Sequence, residues 1–205
     1  DSEFYWHKME IKLISEVGIT VTPEMQINTL GFRTDEMLRY WYNYKPWDNP
    51  DFEKMTLQYE KSVLDFYLNE SELMDGAMYI LDFFQDNKIK LGLASSSPLI
   101  LINAFLDRFN LKSRFEVICS AESDEYGKPH PAVYLKTARM LGIHPSSCLA
   151  FEDSFFGLLA AKAAMMRVVV VPDFKHKDDP RFVIADLKLD SLYKFTNEEF
   201  EKLNM

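Results

Sequence analysis

The sequence predicts an α/β protein in which helices cover both faces of a parallel β-sheet, with a small helical bundle before the sheet. Its 205 residues are enough for one sizeable domain, or for one domain that carries a smaller insert. Before Asp75, only helical patterns occur. After Asp75, continuous apolar strands alternate with helices, and this alternation is typical of a parallel sheet that is buried on both faces.

The N-terminal part is predicted to form four short helices with aromatic faces. The first is amphipathic and ends at Gly18, and the second begins at Thr22-Pro23, an N-cap followed by proline at the first helical position. The predicted ranges are 4–17, 24–29, 34 or 35 to 44, and 49 or 50 to 68. The aromatic side chains are interpreted as the core of a bundle, with the alternative that one or two line a ligand cleft; they are Trp6, Trp41, Tyr42 and Trp47.

The second part is predicted to contain a strand after each of its first four helices. The predicted helices are 77–85, 98–109, 131–141 and 154–164. The predicted strands are 89–94, 115–119, 148–151 and 167–171, with a possible short last strand at 184–186. In parallel sheets of this kind the ligand binds at the carboxyl ends of the strands, so the residues at those ends indicate the chemistry.

Composition and charge exclude several classes of partner. The net charge of −9 and the absence of a long basic run argue against nucleic acid. No apolar stretch reaches the roughly 20 residues that span a bilayer, and no signal peptide is recognisable. Cys119 and Cys148 each lie in an apolar run and are interpreted as buried thiols of a reducing compartment, a disulfide being the alternative. We therefore expect a cytoplasmic protein with no membrane association, and we expect it to be a monomer.

Two of the predicted strand ends carry groups that suit an anion. The first strand leads into Ser95, Ser96 and Ser97 before Pro98, and the hydroxyl and N–H groups of such a turn bind anions, although an ordinary helix cap is the alternative. The second strand leads into a loop that holds Lys128 between glycine and proline. A lysine fixed in this way neutralises a phosphate or carboxylate as a point charge, the alternative being a solvated loop lysine.

The third strand runs directly into two adjacent carboxylates, Glu152 and Asp153. Carboxylates side by side repel each other, and burial raises their pKa values unless a cation compensates. Helix capping accounts for one acid at this position but not for the pair. Hard oxygen ligands beside a phosphate-type site favour Mg²⁺. Together, the three strand ends predict Mg²⁺-assisted phosphoryl transfer, although no residue among them is an obvious nucleophile.

Three stretches together resemble motifs of the haloacid dehalogenase-like hydrolases. They are LASSSP at 93–98, GKPHPAVYL at 127–135 and FEDSFFGLLAAKAA at 151–164. The nearest subgroup contains β-phosphoglucomutase and the sugar-phosphate phosphatases, and the resemblance covers the whole chain. Residues 28–47 and 179–192 have a narrower resemblance, within that subgroup, to phosphatases of hexose and hexitol phosphates.

The resemblance implies a domain organisation. A Rossmann-like core is expected to consist of residues 1–3 and 72–205, with an inserted four-helix cap domain at 4–71. In this family the stretch that corresponds to the opening Asp1-Ser2-Glu3 follows a core strand with two aspartates, of which the first attacks phosphorus and the second is the general acid and base. We therefore expect that strand, and the nucleophile, upstream of residue 1.

The resemblance also implies a role for each candidate residue. Ser95 and Lys128 are expected to be catalytic, and Ser95, Ser96 and Lys128 to bind the phosphoryl group. Asp153, supported by Glu152, is expected to hold Mg²⁺. Gly31, Phe32 and Arg33 resemble the substrate-facing loop of the cap, where Arg33 is expected to contact sugar hydroxyls or a phosphate, a solvated surface arginine being the alternative.

The expected activity is Mg²⁺-dependent hydrolysis of a phosphorylated sugar, a hexose or hexitol phosphate, through an aspartyl-phosphate. Two alternatives stay open: a phosphomutase of the β-phosphoglucomutase type, and a non-catalytic binding protein if the nucleophile is truly absent. A haloacid dehalogenase needs no metal, and the pair formed by Glu152 and Asp153 argues against it.

Overall fold

The computed structural model describes residues 3–172 and 177–203. Its N-terminal part contains the four predicted helices: α1 (Glu3–Ser15), α2 (Pro23–Gln26), α3 (Thr34–Tyr44) and α4 (Phe52–Asn69). Helix α2 is shorter than predicted, because Asn28 and Thr29 continue it only as turns, with backbone N–H bonds to the carbonyls three residues earlier. The boundary of the predicted cap domain, 4–71, stays a prediction.

Helices α1, α3 and α4 pack around one apolar cluster. Ile14, Leu38 and Trp41 at its centre are fully buried. Trp47 packs against its edge, and the Tyr42 ring meets the Trp47 ring edge to face at 5.0 Å between centroids. The interpretation of the aromatic residues as core is therefore confirmed for Trp41, and the N-terminal helices have an apolar core of their own.

The second part alternates helices and parallel strands, as predicted. Its helices are α5 (Ala77–Asp86), α6 (Leu99–Arg108), α7 (Ala132–Leu141), α8 (Phe155–Ala163) and α9 (Asn197–Lys202). Its strands are β1 (Gly92–Ser95), β2 (Val117–Ser120), β3 (Leu149–Glu152), β4 (Arg167–Val170) and β5 (Leu187–Lys188). The first four strands lie within a few residues of their predicted positions.

The prediction of a last strand at 184–186 is wrong, because the strand lies at Leu187–Lys188. Residues Pro180–Ile184 form a 3₁₀ helix, because Asp179 caps its start by accepting the Arg181 N–H at 2.9 Å. The strand begins only at Leu187, which pairs with Val169.

The strands do not form one continuous sheet in the part of the chain that the structure describes. Strand β1 pairs with β2, and a second sheet has the order β3-β4-β5. The other edges of β1 and β3 both border one apolar cavity of about 480 Å³, which is also lined by Phe84, Tyr134 and Leu141. Protein interiors contain few voids larger than a water molecule, so a cavity of this size between two strand edges is unusual.

Two further sequence expectations are tested by the described residues. None of their helices has the length and apolarity needed to cross a membrane. Cys119 and Cys148 are both free, as predicted, although Cys148 is only half-buried. Burial raises the pKa of the Cys148 thiol, so we expect it to react slowly with alkylating reagents at neutral pH.

Candidate active site

A cavity of about 230 Å³ lies where the N-terminal helices meet the carboxyl ends of β1 and β3. It brings together residues that are far apart in the sequence, and all of the predicted site residues except Arg33 line it: Gly31, Phe32, Ser95, Ser96, Lys128, Glu152 and Asp153. Parallel pairing explains this convergence. The register places Ser95 beside Ser120, so the loop that follows β2 and carries Lys128 starts at the same edge as Ser95.

Lys128 and Glu152 form a buried ion pair at the base of this cavity. The Lys128 Nζ lies 2.6 Å from Glu152 Oε1, and the two side chains are 9% and 7% exposed. The Tyr134 hydroxyl donates to the same carboxylate oxygen, and its ring lies 5.0 Å from the ammonium group. A charge this deeply buried needs its partner, so Glu152 holds Lys128 in one position.

The start of α8 packs tightly against Glu152. The Ser154 side chain caps this helix by accepting the Gly157 N–H at 3.0 Å, and its hydroxyl lies 3.3 Å from Glu152 Oε2. A Cβ atom placed on Gly157 would lie 1.9 Å from the same carboxylate oxygen. Glycine at this position therefore lets the buried carboxylate approach the helix backbone.

The serine turn after β1 is held by hydrogen bonds of its own. Ser95 Oγ accepts the Ser97 N–H at 3.1 Å, and Ser96 Oγ donates to the carbonyl of Gly31 at 2.8 Å. A hydroxyl has one proton and two acceptor positions, so the Ser95 proton is still available for a bound oxyanion. The Ser96 hydroxyl instead ties the turn to the loop before α3.

The loop before α3 closes one side of the cavity. Gly31 has a φ of +81°, which a residue with a side chain rarely adopts, and a Cβ there would lie 3.2 Å from Ser154 Oγ. The Phe32 ring packs on Phe156 of α8, with 5.1 Å between the centroids. Through these contacts the loop packs directly against the start of α8.

Arg33 is neither a solvated surface arginine nor a lining residue of the cavity. Its side chain is 11% exposed, and its guanidinium donates to the backbone carbonyls of Ala121 (3.1 Å) and Asp124 and pairs with Asp35. These bonds join the start of α3 to the loop after β2. The contact with substrate that the sequence suggested for Arg33 has no support in this arrangement.

Glu36 is a residue that the sequence analysis missed. Its carboxylate accepts the backbone N–H of Arg33 at 3.1 Å and the N–H of Gly127 at 2.8 Å. The second bond anchors the residue directly before Lys128. Its signal in the sequence is the glutamate three residues after a helix N-cap, a spacing typical of capping.

Glu10 is a second missed residue, and it lies on the wall that the N-terminal helices contribute to the cavity. It is 3% exposed, and its carboxylate lies within hydrogen-bond distance of the Trp41 indole N–H (2.6 Å), the Thr29 hydroxyl (2.7 Å) and the Gln26 amide (2.9 Å). Burial raises the pKa of Glu10, while these hydrogen bonds oppose the rise. Trp6 lines the same wall, so the alternative of a cleft-lining aromatic residue holds for Trp6.

Few of the described side chains in the site are placed to act as metal ligands. Within residues 3–172 and 177–203, no group of three or more His, Cys, Asp or Glu side chains is arranged to hold a metal ion. Asp153 is nevertheless an exposed carboxylate on the cavity wall at the end of β3. Mg²⁺ usually binds one or two protein carboxylates and keeps several waters, so Asp153 fits it as a ligand. Glu152 is paired with Lys128, and its part in metal binding stays a prediction.

Comparison with known proteins gives matches over most of the chain. Residues 1–171 match the family described as haloacid dehalogenase-like hydrolase. The chain is 36% identical over 200 residues to hexitol phosphatase B of Escherichia coli (strain K12), covering 97% of this chain and 90% of that protein. It is 33% identical over 114 residues to the phosphorylated carbohydrates phosphatase of Thermotoga maritima, covering 56% of this chain and 51% of that protein.

Solved structures agree with the fold. The β-phosphoglucomutase of Clostridium difficile matches with a TM-score of 0.86 and 24% identity, covering 100% of this chain and 92% of that one. The protein CbbY of Rhodobacter sphaeroides, solved in complex with phosphate, matches with a TM-score of 0.85 and 22% identity, covering 100% and 94%. At these identities the likeness establishes the shared fold.

Proposed function

The chain belongs to the haloacid dehalogenase-like hydrolases, and from this premise we propose that it is a Mg²⁺-dependent phosphatase of small sugar phosphates, either hexose or hexitol phosphates. The observation that carries the proposal is the cavity at the carboxyl ends of β1 and β3, where a buried lysine, a serine turn and an exposed aspartate face the same space. The names of the relatives support the substrate class, since the hexitol phosphatase B match spans nearly the whole chain.

The charges of the cavity support the metal. Among its described lining residues, Lys128 is the only lysine or arginine, whereas Glu10, Glu152 and Asp153 are carboxylates. The positive charge of Lys128 is already compensated by Glu152 at 2.6 Å. A phosphate dianion entering this site needs a further cation, because like charges at close range in a partly dry site repel strongly. Asp153 would hold the Mg²⁺ ion, which when bound would supply that charge and polarise the phosphoryl group.

The phosphoryl group is bound by residues that the fold already holds in place. We assign one of its oxygens to the Lys128 ammonium and another to the Ser95 hydroxyl, with the Ser96 N–H as a further donor. Glu152 and Tyr134 keep the ammonium in position, so little reorganisation is needed when charge develops on the transferring group. The loop that contains Gly31 and Phe32 covers the site and limits the access of water.

The attacking carboxylate is proposed to lie on a further strand between β1 and β3. Both strand edges there border the apolar cavity of about 480 Å³, and the carboxyl ends of both strands lead into the phosphate site. A strand in that position would satisfy the open backbone groups of both edges, which are costly to bury unpaired. It would also deliver its own carboxyl end beside Ser95 and Asp153.

The reaction then takes two steps. The carboxylate oxygen bonds to phosphorus while the bond from phosphorus to the sugar oxygen breaks, and the sugar oxygen leaves with a proton from the general acid of the same strand. A water molecule, whose proton passes to the same group now acting as general base, next attacks the phosphorus while the bond from phosphorus to the carboxylate oxygen breaks, which releases inorganic phosphate and regenerates the carboxylate. Positioning and charge neutralisation by this chain's residues account for most of the expected rate enhancement.

Hydrolysis is favoured over the phosphomutase alternative by the wall opposite the phosphate site. A mutase has to hold a second phosphate when its bisphosphate intermediate reorients. The described residues of that wall include Trp6, His7, Glu10 and Tyr59 but no lysine or arginine, and Arg33 is engaged with backbone carbonyls. This wall suits an uncharged group better than a second phosphate.

A reducing compartment such as the cytoplasm is the proposed location, and it is supported by the two free cysteines, Cys119 and Cys148. A monomeric state stays a prediction.

The proposed function as a whole is tested by incubating the full-length protein with p-nitrophenyl phosphate and Mg²⁺. We expect nitrophenol to be released at a rate that excess EDTA abolishes and added Mg²⁺ restores. A folded full-length protein that releases none would favour the non-catalytic binding protein instead.

Replacing Gly157 with alanine is expected to lower activity without removing any polar group. The added Cβ would lie 1.9 Å from Glu152 Oε2, so the carboxylate has to move and Lys128 moves with it. We expect kcat to fall about a hundredfold, as a shift of roughly 1 Å at a catalytic group does. Gly142→Ala is the matched control, since its φ of +70° makes alanine strained but its surroundings are open. It should lower the unfolding temperature and leave kcat unchanged, whereas an unchanged kcat in G157A would contradict the positioning of Lys128 by Glu152.

A further inference from the structure

The carboxylate of Glu10 is surrounded by donors but retains one acceptor position. The Trp41 indole and the Gln26 amide nitrogen can only donate, so the Glu10 oxygens accept from both. The Thr29 hydroxyl is a third neighbour at 2.7 Å. A carboxylate has about four acceptor positions, so at least one remains after these three bonds.

Glu10 borders the same cavity as the phosphate-binding residues, but on the wall formed by the N-terminal helices. That cavity, at about 230 Å³, is smaller than the roughly 300–1,000 Å³ of pockets for drug-sized ligands. A substrate whose phosphate lies at Ser95 and Lys128 therefore presents its other end to this wall. The remaining acceptor of Glu10 is suited to a hydroxyl group, and its negative charge is unsuited to a second phosphate.

We propose that Glu10 is the specificity-determining residue of this site, which accepts a hydrogen bond from a hydroxyl at the non-phosphorylated end of a sugar or polyol phosphate. The proposal rests on the proposed phosphatase function and adds to it the residue that recognises the non-phosphorylated end of the substrate. For substrates that lack this hydroxyl, we expect a much lower kcat/KM. The buried carboxylate is then left with an unused acceptor, which is costly.

A purely structural role for Glu10 makes a different prediction. Its bonds to Gln26, Thr29 and Trp41 join α1 to α2 and α3, so a variant that only loosens these helices should affect every substrate alike. A specificity role instead separates substrates with distal hydroxyls from substrates without them. The ratio of kcat/KM between two such substrates is therefore the informative quantity.

The test is Glu10→Gln in the full-length protein, assayed with sorbitol 6-phosphate and with p-nitrophenyl phosphate, both with Mg²⁺. We expect the ratio of kcat/KM for the polyol phosphate to kcat/KM for the aryl phosphate to fall at least about tenfold, as expected for a hydrogen bond to a charged group. Glu16→Gln is the matched control, because Glu16 follows the same helix, is exposed and bonds only to Gln58 among the described contacts. It should leave both values unchanged. An unchanged ratio in E10Q would overturn the proposal.

A second measurement needs no variant and stays informative if E10Q fails to fold. The wild-type protein is compared on sorbitol 6-phosphate, on hexyl phosphate, which has the same chain length without hydroxyls, and on fructose 1,6-bisphosphate. We expect kcat/KM to be at least about tenfold lower for each of the last two. Equal values for hexyl phosphate and sorbitol 6-phosphate would overturn the proposal while leaving the phosphatase function intact. If the wild type releases phosphate from none of these substrates, the proposed function fails, and the assignment of Glu10 fails with it.

Discussion

Replacing Lys128 with alanine in the full-length protein is expected to lower kcat/KM for a sugar phosphate at least about a thousandfold, the effect of removing a preorganised charge from a transition state. Lys128 is the only lysine or arginine among the described lining residues of the cavity, so no other ammonium or guanidinium group there can replace it. The measurement is phosphate release under saturating Mg²⁺. Activity within about tenfold of the wild type would show that the role assigned to Lys128 is wrong.

The Lys128 variant also needs a folding control, because it leaves Glu152 buried without its partner. Breaking a buried ion pair costs about 3–5 kcal/mol of stability. The double variant Lys128→Met with Glu152→Gln removes both charges, so it should unfold at a higher temperature than K128A and still be inactive. Lys162→Ala is a matched lysine control, since Lys162 lies in the last turn of α8, pairs with Asp186 at 2.8 Å and does not line the cavity. It should retain full activity.

Replacing Asp153 with asparagine is expected to lower kcat at least about a hundredfold and to raise the Mg²⁺ concentration needed for half-maximal activity. Asp153 is the exposed carboxylate at the end of β3, and the amide removes the negative charge that a divalent cation needs. The measurement is a Mg²⁺ titration of phosphate release. Asp65→Asn, an exposed aspartate on α4, is the control and should leave the titration unchanged. An unaltered Mg²⁺ requirement in D153N would contradict Asp153 as a metal ligand.

The parts of the site that follow from strand ends were predictable from the sequence. Ser95 and Glu152 are the last residues of β1 and β3, and Lys128 lies in the loop that follows β2. Because parallel strands end at the same edge of a sheet, the sequence pattern alone predicts that these three residues lie close together, without knowledge of the strand order. The resemblance to a known family then predicted their roles, which stay predictions until they are tested.

The residues that sequence reasoning missed are charged residues on helices whose partners lie on other segments. Glu10 and Glu36 lie on α1 and α3, where hydrophobic periodicity assigns a charged residue to the solvent face. Glu10 is buried against Trp41 and Gln26, and the half-buried Glu36 accepts the Gly127 N–H. Periodicity within one helix contains no information about such partners, so only the tertiary structure could identify them.

Arg33 and the short last strand are two further features that local sequence patterns do not determine. The resemblance suggested a substrate contact for Arg33, which stays a prediction, and its guanidinium donates to carbonyls of the loop after β2, a contact that no local pattern indicates. The apolar residues before Asp186 suggested a strand, but the cap by Asp179 begins a 3₁₀ helix there. The separation of β1 from β3 could be expected only from the resemblance, which implies a further core strand upstream of residue 1, since periodicity identifies strands but not their neighbours.

The central claim is that this site hydrolyses a sugar phosphate monoester, and ³¹P NMR of the reaction tests it most directly. The full-length protein is incubated with sorbitol 6-phosphate and Mg²⁺, and the phosphorus signals are followed over time. We predict that the monoester signal is replaced one for one by inorganic phosphate, and that EDTA or Lys128→Ala stops the change. A persistent monoester signal, or its conversion into a different phosphate ester without inorganic phosphate, would contradict hydrolysis at this site.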